Sequence, residues 1–429
     1  MGDLRSALRD IQSQVRARPD SLERIHAEYR RQDRSRRFAA GTVALIVAAA
    51  GILVATQLLT FGGSVLPAAP RIDEANVSRL APAWQLRLEG AGASAPAVAD
   101  GVLYASSTDG KLFALDARTG EVRWVGITPI GSTTTPVVAD GTVLVEASGE
   151  LLAFDVACAE GGATCAPRWT ATTGGVNLAS PTAADGVAYV VSSPGGVSAF
   201  PIACDDPCEP TWTSHHLTGQ VAHPPTVADG VIWDSSRHTL FAFPASCTSR
   251  CPALVRGVPD GVDLSSGPTL AAGVLYVGAA DGRLYALPAS CAVGIGCSPL
   301  WRSQPAGGGV VGEPVVAGGR VFVGSNDGRL YAFPTSCGSA GATCSPEWVG
   351  RTGGPIGERP VASGALVYVS STDGTLSVFP NSCATACRPL SVTTIGALPA
   401  SPAVWAGRVV YTMSADGIVT AYTVGGASI

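Results

Sequence analysis

Pro96-Ala-Val-Ala-Asp-Gly101-Val-Leu-Tyr104, followed by Thr108-Asp-Gly-Lys-Leu-Phe-Ala-Leu115, is one copy of a unit that recurs along the chain. The frame restarts at Pro136, Pro181, Pro225, Pro268, Pro314, Pro360 and Pro402, a period of about 44 residues repeated to the C-terminus. Each copy reads as four short strands. The first runs into the proline, as suits an innermost edge strand where one backbone donor is dispensable. The second alternates, as in Val274-Leu275-Tyr276 or Val321-Phe322-Val323. An Asp-Gly pair then makes a tight hairpin at Asp109-Gly110, Asp281-Gly282, Asp327-Gly328, Asp373-Gly374 and Asp416-Gly417, because these residues tolerate positive φ. The third strand follows, as in Arg329-Leu-Tyr-Ala-Phe333. The fourth ends near Trp124, Trp169, Trp212, Trp301 or Trp348. Copies two to four lack the Asp-Gly pair, and copies four and seven lack the tryptophan. A fixed period built only from short strands predicts an all-β, eight-bladed β-propeller.

The eighth copy stops after Thr420-Ala421-Tyr422, one strand short, while Pro82-Ala-Trp84-Gln-Leu-Arg-Leu88 precedes the first complete copy. The spare strand is expected to close the ring on the last blade, which removes two open edges. An open solenoid of eight coils is the alternative.

Composition agrees with a turn-rich β protein: 46% hydrophobic, 14% charged, with 52 glycines. A net charge of -5 gives no basic face for a nucleic acid. The twelve cysteines form six local pairs: Cys158 with Cys165, Cys204 with Cys208, Cys247 with Cys251, Cys291 with Cys297, Cys337 with Cys344, and Cys383 with Cys387. Every pair lies between the third and fourth strands. A disulfide across a hairpin tip fits that spacing, whereas a zinc site needs four ligands converging on one point. Disulfides imply an oxidising compartment.

The apolar run Phe38 to Phe61 carries no charge. As a helix it spans roughly 36 Å, enough for a hydrocarbon core of about 30 Å. Arg30, Arg31, Arg34, Arg36 and Arg37 crowd its N-terminal side, against Arg71 and Arg79 on the other. The expectation is a single-pass cell-membrane protein with its N-terminus in the cytoplasm and its propeller outside. The divisions are then residues 1–37, a basic helical segment; 38–61, a transmembrane helix; 62–80, a linker; and 81–429, the propeller. Leu4, Leu8, Ile11 and Val15 share one helical face. That segment reads as a topology anchor, with a signalling role as the alternative.

Asn76-Val-Ser-Arg-Leu-Ala-Pro-Ala-Trp84 resembles the opening of pyrroloquinoline-quinone (PQQ) dehydrogenase propellers, and Asp109 to Trp124 resembles the PQQ-type tryptophan-docking repeat. The resemblance covers the chain after about Asn76. It implies an eight-bladed ring whose tryptophans dock between neighbouring blades. Leu22-Glu-Arg-Ile25 and the arginines after it resemble the juxtamembrane part of actinobacterial anti-sigma-like membrane proteins. The repeat also occurs in the propeller lipoprotein of the outer-membrane β-barrel assembly machine and in sensor domains of membrane kinases, so it leaves activity open. Quinone dehydrogenases of this type are expected to carry two adjacent cysteines and long insertions. Neither is present in this sequence.

The residues just before each proline should line the channel mouth: Ser94, Thr134, Ser180, His223, Asp263, Ser266, Glu313, Glu358, Arg359 and Ser401. Of these, His223, Asp263, Glu313, Glu358 and Arg359 are the candidate ligand-binding residues. No catalytic constellation and no metal site is expected, and His215-His216 reads as a solvated loop pair. The functional expectation is a binding scaffold in the cell envelope, without a cofactor, holding a protein or glycan partner. A PQQ- and calcium-dependent dehydrogenase, or a sensor signalling through residues 1–37, are the alternatives.

Overall fold

Each proline of the repeat stands ahead of a three-residue strand, such as Ala97–Ala99, Thr182–Ala184, Val315–Ala317 or Val404–Ala406. The proline thus leads into the innermost strand rather than ending it, and its missing N–H falls outside the ladder. The computed structural model describes residues 70–429 apart from residues 93, 132–133, 159–160, 176–178, 193–195, 215–222, 237–238, 249–250, 253, 258–261, 291–297, 310–311, 339–340 and 397–401. All of them belong to the unit Ala68–Ile429. The basic segment 1–37, the apolar run 38–61 and the pair His215-His216 lie outside the described residues. So does the expected bridge between Cys291 and Cys297. Among the described residues no helix is long and apolar enough to cross a membrane.

The inner strand turns into the second through a pair with both residues left-handed, as at Asp100 (φ 47°) and Gly101 (φ 76°). This is the primed turn that matches strand twist, and Asp-Gly suits it. It recurs at Asp140-Gly141, Asp185-Gly186 and Asp229-Gly230. The later Asp-Gly hairpin works differently, because only its glycine is left-handed, as at Gly110 and Gly374. There the aspartate acts through its side chain. The hydroxyls of Ser371 and Ser414 donate to Asp373 and Asp416 at 2.5 Å, and those of Tyr285 and Tyr331 donate to Asp281 and Asp327 at 2.7 Å.

Eight sheets form, one per copy, each built on four antiparallel strands. Their inner strands touch in cyclic order, that of blade 8 meeting that of blade 1. The ring is therefore closed and is not a solenoid. Leu80–Arg87 makes the closure by pairing antiparallel with Ile418–Val424, from Leu80↔Val424 to Arg87↔Ile418.

Tryptophan fixes the seams between blades. It stands at or near the start of the fourth strand, as in Trp169–Thr172 and Trp348–Arg351, rather than at its end. In four of these seams the indole N–H donates to a carbonyl just past the next blade's third strand. Trp124 reaches Val156 at 3.2 Å, Trp169 reaches Ile202 at 3.0 Å, Trp301 reaches Thr335 at 3.3 Å and Trp348 reaches Asn381 at 3.2 Å. Trp84 does the same across the closing seam, to Ala117 at 3.1 Å. The rings also pack on the next blade's phenylalanine, with centroids 6.0 Å apart for Trp124–Phe154 and 6.2 Å for Trp348–Phe379. Gly350 permits this approach, since a Cβ there would lie 2.5 Å from Phe379.

The cysteine loops do more than staple hairpin tips. Five of the six expected pairs fall on described residues, and all five are disulfides: Cys158–Cys165, Cys204–Cys208, Cys247–Cys251, Cys337–Cys344 and Cys383–Cys387. The sixth, Cys291 with Cys297, is the one that the described residues leave out. In three blades the loop reaches back and adds a fifth, parallel strand to the preceding blade. Ala163–Cys165 lies along Trp124–Gly126, Ala342–Cys344 along Trp301–Ser303, and Ala386–Cys387 along Val349–Gly350. The second cysteine of each described pair is buried in the same cluster as the preceding blade's tryptophan, as Cys165 is with Trp124 and Cys387 with Trp348. In blade 7, Ser391 occupies the tryptophan's place opposite Val378. There Ile72 and Val77 fill the seam, buried with Leu376, Val378 and Ile395. The ring therefore recruits residues from before Leu80, which the sequence reading assigned to a linker.

Replacing Trp348 is expected to show the strength of one seam. Trp348→Ala should lower unfolding stability by about 3–5 kcal/mol. Trp348→Phe, which keeps most of the apolar contact but leaves the Asn381 carbonyl without its donor, should cost about 1–3 kcal/mol. Urea midpoints at constant m measure both. Equal losses would contradict a distinct role for the indole N–H.

Candidate functional site: the channel mouth

Successive strands of a blade run antiparallel, so the connections into the inner strands share one face with hairpins such as Asp109-Gly110. The turns of the Asp100-Gly101 type and the disulfide loops lie on the other face. The expected channel residues divide into two groups.

The hydroxyl residues hold the ring together. Ser94 Oγ lies 2.9 Å from Ser106 Oγ, the Thr134 hydroxyl accepts the Glu146 N–H at 3.2 Å, and that of Ser266 accepts the Gly278 N–H at 2.8 Å. Each ties a blade's entry to its own second strand. Ser180 accepts the Thr135 N–H at 3.0 Å, from blade 2 to blade 3. A further set escaped the sequence reading. Thr182 donates to the Pro225 carbonyl at 2.7 Å, Thr226 to that of Pro268, and Thr269 to that of Pro314 at 2.6 Å. These bonds link the inner strands of blades 3 to 6. The recurring Pro-Thr pair was their signal.

The charged residues gather on one arc of the mouth. Arg359 Nη1 of blade 7 lies 3.4 Å from Glu313 Oε2 of blade 6. A Cβ on Gly267 of blade 5 would meet Glu313 Oε1 at 2.7 Å and the His223 Cβ of blade 4 at 3.1 Å. The Glu313 carboxylate thus uses the space that glycine leaves, and His223 stands at its far side. Glu358 is adjacent to Arg359 and packs its carbonyl against Gly312, where a Cβ would lie 2.6 Å away. Asp263 stands further along the loop, its carbonyl accepting the Ala280 N–H at 2.8 Å beside the Leu264↔Ala279 bridge. Ser401 lies outside the described residues.

Burial governs the protonation of this arc. It pushes the Glu313 carboxyl up, against the pull of the Arg359 guanidinium, and it pushes Glu358 up as well. It draws the His223 imidazole down to about 4. Arg359 is 48% exposed while Glu313 is 16% exposed, so the arc presents a guanidinium outward with a carboxylate behind it.

A pH dependence follows from His223. Below its ordinary value the unfolded chain binds a proton on this imidazole, and the folded ring does so only near pH 4. Stability should therefore fall as pH drops from about 6.5 to about 4, by about 3 kcal/mol from this residue. Glu313 acts in the opposite sense. Its folded carboxyl keeps a proton to higher pH than a free glutamate, so its contribution is full at low pH and is lost as pH rises through the folded value. His223→Gln is expected to flatten the acid loss, and Glu313→Gln to steepen it. Urea midpoints between pH 4 and 7 give the test, and an unchanged profile in His223→Gln would refute the assignment.

The geometry defines a class of protein: a closed eight-bladed propeller, seamed by tryptophan and disulfides, with a charged arc at one channel mouth. The chain belongs to the family described as outer membrane protein assembly factor BamB, whose model matches residues 76–160, 228–340 and 298–427. Among solved structures it is similar to BamB from Moraxella catarrhalis, at 18% identity over 80% of this chain and 97% of that one, with a TM-score of 0.60. It is similar to the computationally designed Ika8 protein at 13% identity, over 79% of this chain and 98% of that one, with a TM-score of 0.63. The quinohemoprotein alcohol dehydrogenase from Comamonas testosteroni matches at 14% identity, over 83% of this chain and 79% of that one, with a TM-score of 0.58. These likenesses show the fold. No curated protein matches the chain.

Proposed function

We propose that this chain is a membrane-anchored binding scaffold of the cell envelope, with its propeller outside the cytoplasm and a protein as its partner. One observation carries the reading: the mouth hydroxyls bind the ring to itself, while an ion pair from blades 6 and 7 and the imidazole of blade 4 are gathered at that same mouth. Such a ring is rigid and displays many short connections on each face. Five disulfides support an oxidising compartment. The arginines before residue 38 and the apolar run after them support a single-pass anchor.

The described residues do not group as a site for PQQ with calcium would need. Among the described residues no three His, Cys, Asp or Glu side chains converge so as to hold a metal ion. The described paired cysteines are four or seven residues apart, not adjacent. Calcium asks for six or more oxygens at one point.

Cross-linking in intact cells, followed by purification of the full chain in mild detergent, tests the scaffold. One envelope protein in near-stoichiometric yield is the expected result, reduced several-fold by Arg359→Glu. If added PQQ and calcium instead raise the melting temperature and support dye-linked alcohol oxidation, the chain is an enzyme and the scaffold reading fails.

A further inference from the structure

On the face opposite the charged arc, a groove of about 500 Å³ opens between blades 1 and 2. Its apolar floor includes Ala99, Val102, Tyr104, Trp124, Val138 and Val156. Three carboxylates stand around it, those of Asp100, Asp116 and Glu121, with one cation, Arg123. Arg123 Nη2 is held by Asp116 Oδ2 at 2.7 Å, so the rim carries excess negative charge. One wall is the stapled loop of blade 2. The Gly162 N–H donates to the Arg123 carbonyl at 2.8 Å, and Cys158–Cys165 fixes the loop that carries Ala157 and Gly161.

The repeat shows what such a groove accepts. At the seam between blades 8 and 1, the same positions hold Ala406, Val409, Tyr411, Trp84, Val98 and Ala117. The correspondence is fixed by hydrogen bonding, since Trp124 donates to Val156 as Trp84 donates to Ala117. All six belong to, or pack on, the cluster against which the chain lays its own Ile429. Residues 425–429 follow the third strand of blade 8. In blade 1 that stretch is the tight turn after Asp116, where the Arg118 and Thr119 N–H groups donate to Asp116 Oδ1 and Gly120 bonds back to the Asp116 carbonyl. Past this turn the only apolar side chain of the stretch that lines the groove is Val122, at its edge, and about 500 Å³ stays open.

We infer that the groove between blades 1 and 2 binds an extended peptide segment of a partner protein, through a branched aliphatic side chain flanked by basic residues. The aliphatic group takes the role that Ile429 plays one seam earlier, and the basic groups face Asp100 and Glu121. This deepens the scaffold reading by naming a surface and its chemistry.

The test uses the full chain in detergent and a fluorescein-labelled, N-acetylated heptapeptide, Gly-Ser-Arg-Ile-Arg-Ser-Gly. Saturable binding is expected. It should weaken about tenfold or more when the central isoleucine becomes alanine, and it should weaken in high salt. Ala157→Trp, at an exposed position on the wall, should abolish it with the melting temperature unchanged. Glu121→Arg, on the exposed rim, should weaken it several-fold. Binding that is absent, equal for the alanine peptide, or indifferent to both variants overturns the inference. If cross-linking still captures an envelope protein in Ala157→Trp while the peptide shows no binding to the unaltered chain, the scaffold stands and this groove is not its docking site.

Discussion

Reducing the disulfides under native conditions is expected to bring the propeller close to unfolding. Each of the five described bridges closes a loop of four or seven residues' separation. Loops that short contribute about 2 kcal/mol each in the chain-entropy account. They sit on different blades, so their effects should add, and their sum is on the order of the 5–15 kcal/mol of a whole domain. The loss should exceed that sum in blades 1, 5 and 6, where the loop also supplies a parallel strand to the outer edge. Replacing Cys337 and Cys344 together by serine isolates one case. It should cost about 2–3 kcal/mol and shift Trp301 emission to the red, because Cys344 and Trp301 share a cluster. A reduced protein with an unchanged urea midpoint would show that the loops are ornaments on a ring that stands without them.

Deleting residues 70–88 is the second large effect. This removes the strand that pairs with Ile418–Val424, the Trp84 bond to Ala117, and the buried Leu88, Ile72 and Val77. Each large apolar side chain is worth about 1.5–3 kcal/mol, and the last sheet is left with an open edge. The shortened chain should lose its cooperative melting transition, and a synthetic peptide of residues 70–88 added in trans should restore it. A shortened ring that melts as before would mean that the closing strand is dispensable.

Much of this architecture was legible because it rests on local rules. The proline frame gave the blade count, the orphan strand at Pro82–Leu88 gave the closure, and the cysteine spacing gave the five described disulfides. What was not legible depends on contacts between blades. Nothing local in Ala163-Thr-Cys165 says that it will pair with Trp124–Gly126, some forty residues earlier. Nor does Ile72 or Val77 announce that it will fill the seam where blade 7 has a serine. At the mouth, small polar residues before a proline read as a lining. In three dimensions Ser94, Thr134 and Ser266 satisfy their own blades. The approach of Glu313 to His223 required Gly267, whose silence in sequence is the room it leaves.

The closing strand also sets an order of events during synthesis. Leu80 is made before the first blade, yet its partner Val424 belongs to the eighth. An edge completed by its successor's loop, as Trp124–Gly126 is by Ala163–Cys165, must wait until the following blade has emerged. A blade completed in this way is finished only when its neighbour is. The closing strand, made ahead of all eight blades, waits for the last of them.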